Sequence, residues 1–395
     1  MANTSCDGLW AGLLDAATGA LHPAASASLR ELDPSLWLEP TALHSGSRRA
    51  RQALDQARER IAHGLGVRPE EVSFTPSAAT ALRLGMAGLG YAGRRRGARV
   101  VTSAVERAVI LQPARYAAAR SGDPHSHEAV PVDHLGRIDL EAWATAVAAP
   151  GTAYAVLQSA NGEVGTRQPL AQAWAATQAH GIPLLVDASA SLGRDASPEH
   201  FDVLAGDAQS WGGPPGVGVL VVRTGTRFRR DAPPSGIEQG RSDDPLVIPL
   251  VVAAAAAWDA VAQERYNEAA AAAHLIDQIR AAASAFPEVD VVGDPTDRLP
   301  HIVTFSALLA DGEELVRQFD RRGFAVGSGS ACTSSTLEPS HVLAAMGALT
   351  HGNVRITLPL AAASPDRAAT VAAFCAVLPD VVAEVRAQLS AGGAS

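Results

Sequence analysis

The sequence predicts an α/β chain with one large and one smaller domain, and three observations carry that reading. At 395 residues the chain is long enough for two cores. Short apolar segments rich in β-branched residues, bounded by glycine and proline, alternate with stretches whose apolar residues recur at helical spacing. A long alanine-rich helical region, about 249–285, leads from the first set of elements to a second, shorter one.

Composition removes several function classes. Hydrophobic content of 47% and charged content of 18% suit a globular protein in water. Net charge is -9, and the run Arg94-Arg95-Arg96 reads as a solvated loop, so no nucleic-acid partner is expected. No apolar run reaches the ~18 residues of a membrane span, and no basic-then-apolar leader opens the chain; the expectation is a cytoplasmic protein without a membrane partner. Cys6, Cys332 and Cys375 are odd in number and scattered, which argues against disulfides and against a metal site. All 32 basic residues are arginine, and the chain contains no lysine.

The elements follow in order. Leu54, Ala57, Ile61 and Leu65 mark a helix stopped by Gly66. Residues 71–80, EVSFTPSAAT, read as strand then turn, and 98–102 as a strand. VPVDHLGRIDL, 130–140, reads as strand, turn and helix start; Pro169 opens a helix that Gly181 closes. The apolar strand 182–186 then delivers Asp187. Residues 201–205 and 217–222 are strands around the glycine-rich turn DAQSWGGPPGVG, 207–218. The second domain reads strand (302–305), helix (311–322, capped by Asp311 and Gly323), strand (353–356) and a final helix from about Pro365. Val371, Phe374, Cys375 and Leu378 share one face of that helix, so Cys375 belongs to a core.

The turn at 207–218 resembles that of the class V aminotransferases of fold type I, and within them the cysteine desulfurases. Those proteins carry Ser-x-His-Lys ahead of a Gly-Pro-x-Gly-x-Gly turn, and the Lys holds pyridoxal phosphate as a Schiff base. The matching positions here are Asp207, Gln209 and Ser210. LDAATGALHP (14–23), EPTALHSGSRRAR (39–51) and SANGEVGT (159–166) resemble further family motifs. GSGSACTSSTLEPSH (327–341) is close to identical with the loop that bears the family's persulfide-forming cysteine. The resemblance spans nearly the whole chain. It implies a mostly parallel seven-stranded sheet in a large domain, 15–250, and a smaller α/β domain from 1–14 and 251–395. It also implies a homodimer.

The resemblance further implies site residues. Cys332 matches the sulfur-bearing cysteine, and Arg355 the arginine that binds the substrate carboxylate. Asn161 and His44 match substrate-side residues; Glu39 replaces an Asn there and is expected to pair with Arg355. Asp187 matches the Asp that pairs with the pyridinium nitrogen, and Arg107 stands where a His stacks on the ring. Ala79, Gly162 and Ala190 replace three further cofactor contacts, so Asp187, Arg107, Asp207, Gln209 and Ser210 form a degenerate cofactor site. An internal aldimine needs a primary amine on a side chain, which guanidinium does not supply.

The expectation is therefore no cofactor, pyridoxal phosphate having been lost. Three functions stay open at this point. The chain is a sulfurtransferase that accepts sulfur on Cys332 from a desulfurase and passes it to an acceptor protein. Alternatively it is a non-catalytic partner of a desulfurase or scaffold. Alternatively it runs new, cofactor-independent chemistry in the old pocket.

Overall fold

The chain begins with α1 (Pro23–Arg30) and α2 (Ser45–Leu65), then β1 (Val72–Thr75), α3 (Ala78–Gly93), β2 (Arg99–Ser103) and α4 (Ala108–Ser121). It continues through β3 (His127–Val130), α5 (Leu140–Ala148), β4 (Thr152–Gln158), α6 (Leu170–Ala179), β5 (Leu184–Asp187), β6 (Val203–Asp207) and β7 (Gly218–Val222). The remainder is α7 (Ile248–Ser284), β8 (Val289–Val292), β9 (Ile302–Ala307), α8 (Gly312–Arg321), α9 (His341–Ala345), β10 (Asn353–Thr357) and α10 (Arg367–Gly392). This computed structural model describes residues 12–16, 20–233, 236–328 and 339–392.

Strands β4, β5 and β7 are buried at every residue, as strands covered on both faces must be. They belong to a seven-stranded sheet of order β1-β7-β6-β5-β4-β2-β3, in which β7 alone runs against its neighbours. The parallel strands end together at Gln158, Asp187 and Asp207, which is where an open α/β sheet presents its ligand crevice. Gly218 admits a close approach there: a Cβ would lie 2.3 Å from the carbonyl carbon of Ser77, the N-cap of α3.

A second sheet, β10-β9-β8, is antiparallel and packs its inner face on α7, α8 and α10. Phe374 sits between Phe319 and Phe324, with ring centroids 4.8 and 5.7 Å away. Leu14 belongs to this second core, and Leu13 bridges to Ala325, so the segment before α1 is part of it. Helix α7 serves both cores: Ile248, Val251, Trp258 and Val261 pack in the first, and Leu275, Ile276 and Ile279 in the second.

One stretch, Arg367–Gln388 in α10, is long and apolar enough to cross a membrane by length and composition. A scan for uninterrupted apolar runs passes over it because Pro379, Asp380 and Glu384 break it. Its Val371, Phe374, Leu378, Val381, Val382 and Val385 are buried in the second core, which accounts for the apolar character.

Candidate active site at the carboxyl ends of the parallel strands

Asp187 closes β5 and is buried at 2% exposure. One carboxylate oxygen accepts from the Ser189 backbone N–H at 2.9 Å and from the Ser189 hydroxyl; the other faces Arg107 Nη1 at 3.4 Å. Arg107 also donates to Ser189 Oγ at 2.8 Å, so the three side chains form one closed set. Beside them Glu106 is fully buried. Its Oε1 accepts from the Gln158 amide at 3.0 Å, while Oε2 has no partner among the described residues. Burial drives the Glu106 carboxyl well above the ordinary range; the Gln158 amide opposes that, and the charge of Asp187 adds to it. Glu106 is thus a buried carboxyl beside an ion pair.

The glycine-rich turn arrives next to this set. Asp207 caps the short turn 208–211 through the Gln209 N–H at 3.2 Å. Its other oxygen accepts from the Ala78 N–H, the first amide of α3, at 2.9 Å. A helix N-terminus is a ready anion seat, and here a side chain of the protein bonds to it. Ser210 turns its hydroxyl to the carbonyls of Leu192 and Asp207, at 2.8 and 2.9 Å. Gln209 presents its side chain half-buried on the same turn.

A second polar group lies where β10 meets the N-terminal segment. Arg355 donates to Asp15 at 3.1 Å, and its backbone pairs with Gly327 in both directions, at 2.8 and 3.0 Å. Arg355 Nε and Glu163 Oε1 are both buried without a hydrogen-bond partner among the described residues. Burial raises the Glu163 carboxyl to about 7, against a hydrogen bond from Ser340 and the charge of Arg355. Ser340 also caps α9, and His341 Nε2 lies 2.8 Å from the Glu106 carbonyl. Both described ends of the cysteine-bearing segment, Gly327–Ser328 and Pro339–Ser340, are therefore tied to this site. Cys332 itself lies outside the described residues, as does Cys6.

Three expected site residues are placed differently. Glu39 does not pair with Arg355: it is exposed, and its Oε1 accepts from the Thr41 N–H and hydroxyl at 3.1 and 2.7 Å. The pairing fails because a turn two residues away satisfies Glu39 locally, while Asp15 reaches Arg355 first. His44 is the N-cap of α2, its Nδ1 accepting from Ser47 N–H, and is exposed. Asn161 is buried and spent on the local turn: it donates to the Val105 carbonyl and accepts from the amides of Glu163 and Val164. Sequence reasoning passed over Glu106, Glu163 and Asp15 as site residues. The signal for Glu163 was present, as the one carboxylate in the small, neutral run SANGEVGT.

Fold and site together define a fold type I chain, with its polar crevice at the carboxyl ends of the parallel strands. The family model for aminotransferase class-V matches residues 13–366, so the chain belongs to that family. The IscS-like cysteine desulfurase of Mycobacterium tuberculosis is 32% identical over 399 residues, covering 96% of this chain and 98% of that protein. Cysteine desulfurase IscS 1 of Archaeoglobus fulgidus is 31% identical over 350 residues, covering 88% and 90%. Among solved structures, a NifS-like protein superposes with a TM-score of 0.83 at 21% identity, covering 93% of this chain and 99% of that one. That last likeness bears on the fold alone.

These comparisons correct the expectation of no cofactor. The chain is cysteine desulfurase-like, a member of a pyridoxal-phosphate family whose reaction is sulfur transfer, and loss of the cofactor is not shown. The residues present fit that group only in part. Asp187 stands buried at the end of β5 as a partner for a ring nitrogen, but it is paired with Arg107. The α3 amide is bonded to Asp207, and no lysine exists to hold an aldehyde covalently.

Proposed function

We propose that the protein moves sulfane sulfur, with Cys332 as the carrying atom. The observation that supports it is the anchoring of the Cys332 segment. Gly327 is bonded to Arg355, Ser340 to Glu163, and His341 to the Glu106 carbonyl. Chain connectivity alone keeps Cys332 within ~20 Å of Gly327. In the transfer, the Cys332 thiolate attacks the outer sulfur of a donor persulfide. A new S–S bond forms at Cys332, the donor's S–S bond breaks, and the donor cysteine leaves as thiolate with no net oxidation. Glu163, protonated up to about pH 7, supplies the proton that the leaving thiolate takes up. The donor is a desulfurase or another persulfide protein, and the chain works as a homodimer in the cytoplasm.

The retained Asp187 and the identity to named cysteine desulfurases favour a second reading, in which the chain draws sulfur from cysteine with its own pyridoxal phosphate. One experiment separates the two. Intact mass is recorded after incubation with cysteine and an active desulfurase, and separately after incubation with cysteine and pyridoxal phosphate alone. Transfer predicts a gain of about 32 Da per sulfur in the first mixture only, on a peptide containing Cys332 and absent in Cys332→Ala. Sulfide release and mass gain in the second mixture support the desulfurase reading. No gain in either mixture defeats both.

A further inference from the structure

A second cavity opens at the other end of the large sheet. It has a volume of about 740 Å³ and lies among the starts of β4, β5 and β6 and the C-terminus of α3. Helix α3 has its N-terminus at Asp207 and its last residue, Gly93, in the cavity wall. At 1.5 Å per residue its 16 residues separate the two places by ~24 Å. The cavity is thus not the crevice described above.

Five arginines line it: Arg94, Arg95 and Arg96 at the end of α3, and Arg227 and Arg229 after β7. The chain carries a net charge of -9, yet none of these five pairs with a carboxylate within 4 Å among the described residues. The wall is held in place by ordinary packing. The Phe228 ring lies over α3 at Gly88, where a Cβ would come within 2.3 Å of it, and the Arg229 N–H donates to the Gly88 carbonyl at 3.2 Å. Arg94 stacks on Tyr91 at 3.9 Å, and Arg96 donates to the Gly181 carbonyl at 2.7 Å.

The carboxylate lining the cavity, Asp202, is already engaged. It accepts from the Leu184 N–H and Gln178 Nε2, both at 2.9 Å. Guanidinium groups match phosphate oxygens in pairs, and the cavity's volume is that of a small-molecule site.

We propose that this cavity binds a small molecule carrying two or more phosphate groups. The bland alternative is that the arginines only complement the negative end of α3, which would affect stability but not binding.

The probes are inorganic triphosphate and ATP, titrated calorimetrically into the full-length protein at low salt. Both are expected to bind with Kd below about 1 mM and to weaken as salt rises. ATP binding more tightly than inorganic triphosphate, which has the same number of phosphates, assigns part of the cavity to the nucleoside; equal binding assigns the phosphates alone. Arg95→Gln with Arg227→Gln, both exposed positions, is expected to weaken both probes at least tenfold with an unchanged thermal midpoint. Arg317→Gln with Arg321→Gln on α8 removes the same charge elsewhere and is expected to leave both Kd values unchanged. Absence of binding at millimolar probe overturns the proposal. So does equal weakening by the two double variants, which would report bulk charge rather than a site.

Discussion

Replacing Glu163 by Gln tests the site where its electrostatics are most exposed to measurement. The Glu163 carboxyl is raised from about 4.5 to about 7 by burial, which outweighs the Ser340 hydrogen bond and the Arg355 charge. Below pH 4.5 the folded and unfolded chains both hold the proton, and the group contributes its full stability. Between pH 4.5 and 7 the unfolded chain releases the proton while the folded chain keeps it, so stability falls as pH rises. Above about 7 both forms are ionised and the loss is complete. At about 1.4 kcal/mol per pH unit the gap is worth about 3 kcal/mol, and residual water around this half-buried residue trims that toward 2. Glu163→Gln keeps the shape and removes the titration. Urea unfolding of both proteins at pH 5 and pH 8 is the assay. The variant is expected to gain about 2 kcal/mol on the wild type between those pH values. Profiles parallel within about 0.5 kcal/mol would refute the assigned burial of Glu163, and with it the proton role given to that residue.

Four further outcomes follow from the geometry. Arg58 donates to both oxygens of Glu238 at 2.8 and 2.7 Å, with both side chains buried, so Arg58→Ala is expected to cost about 3–5 kcal/mol in urea unfolding. Asp207→Ala leaves the Ala78 and Gln209 amides without their carboxylate and should lower stability by about 1–2 kcal/mol, read as a fall in thermal midpoint. Phe374→Ala empties the space between Phe319 and Phe324 and should cost about 3–5 kcal/mol, against under about 1 for Cys375→Ala. Cys375 is partly buried and burial raises its thiol above the ordinary pKa, so an alkylating reagent at neutral pH should modify it more slowly in the folded chain than after urea unfolds it.

Much of the fold was legible because the relevant signals are local. The strand–turn–strand at 201–222 stands as β6 and β7, paired from Val203↔Val222 to Asp207↔Gly218. The long helix expected at 249–285 is α7, Ile248–Ser284, and Asp311 caps α8 through the Glu314 amide. Strand β8 was missed because Asp290 sits in its middle and the strand is only partly buried. Helix α4 was missed because Pro113 interrupts its pattern and its buried residues are few. The site was less legible for a different reason. Asp15 and Arg355 are 340 positions apart, and nothing local distinguishes Asp15 from Glu39 as the partner of that arginine. The expectation of no cofactor rested on the missing lysine together with the replaced contacts at Ala79, Gly162, Ala190, Asp207, Gln209 and Ser210, whereas family membership rests on the entire chain.

Helix α7 turns the small domain into the load on a lever. Its 37 residues form a rod ~55 Å long, gripped by the large core near Ile248–Val261 and by the small core near Ala272–Ala283. From Val261 to Ser284 the arm is ~35 Å, so a pivot of about 5° where α7 leaves the first core carries the far end by ~3 Å. That is the length of a hydrogen bond. Arg355 is on the sheet that packs against this arm, and its partner Asp15 is on the segment bridged to that same sheet, so such a pivot would carry the ion pair along as a unit.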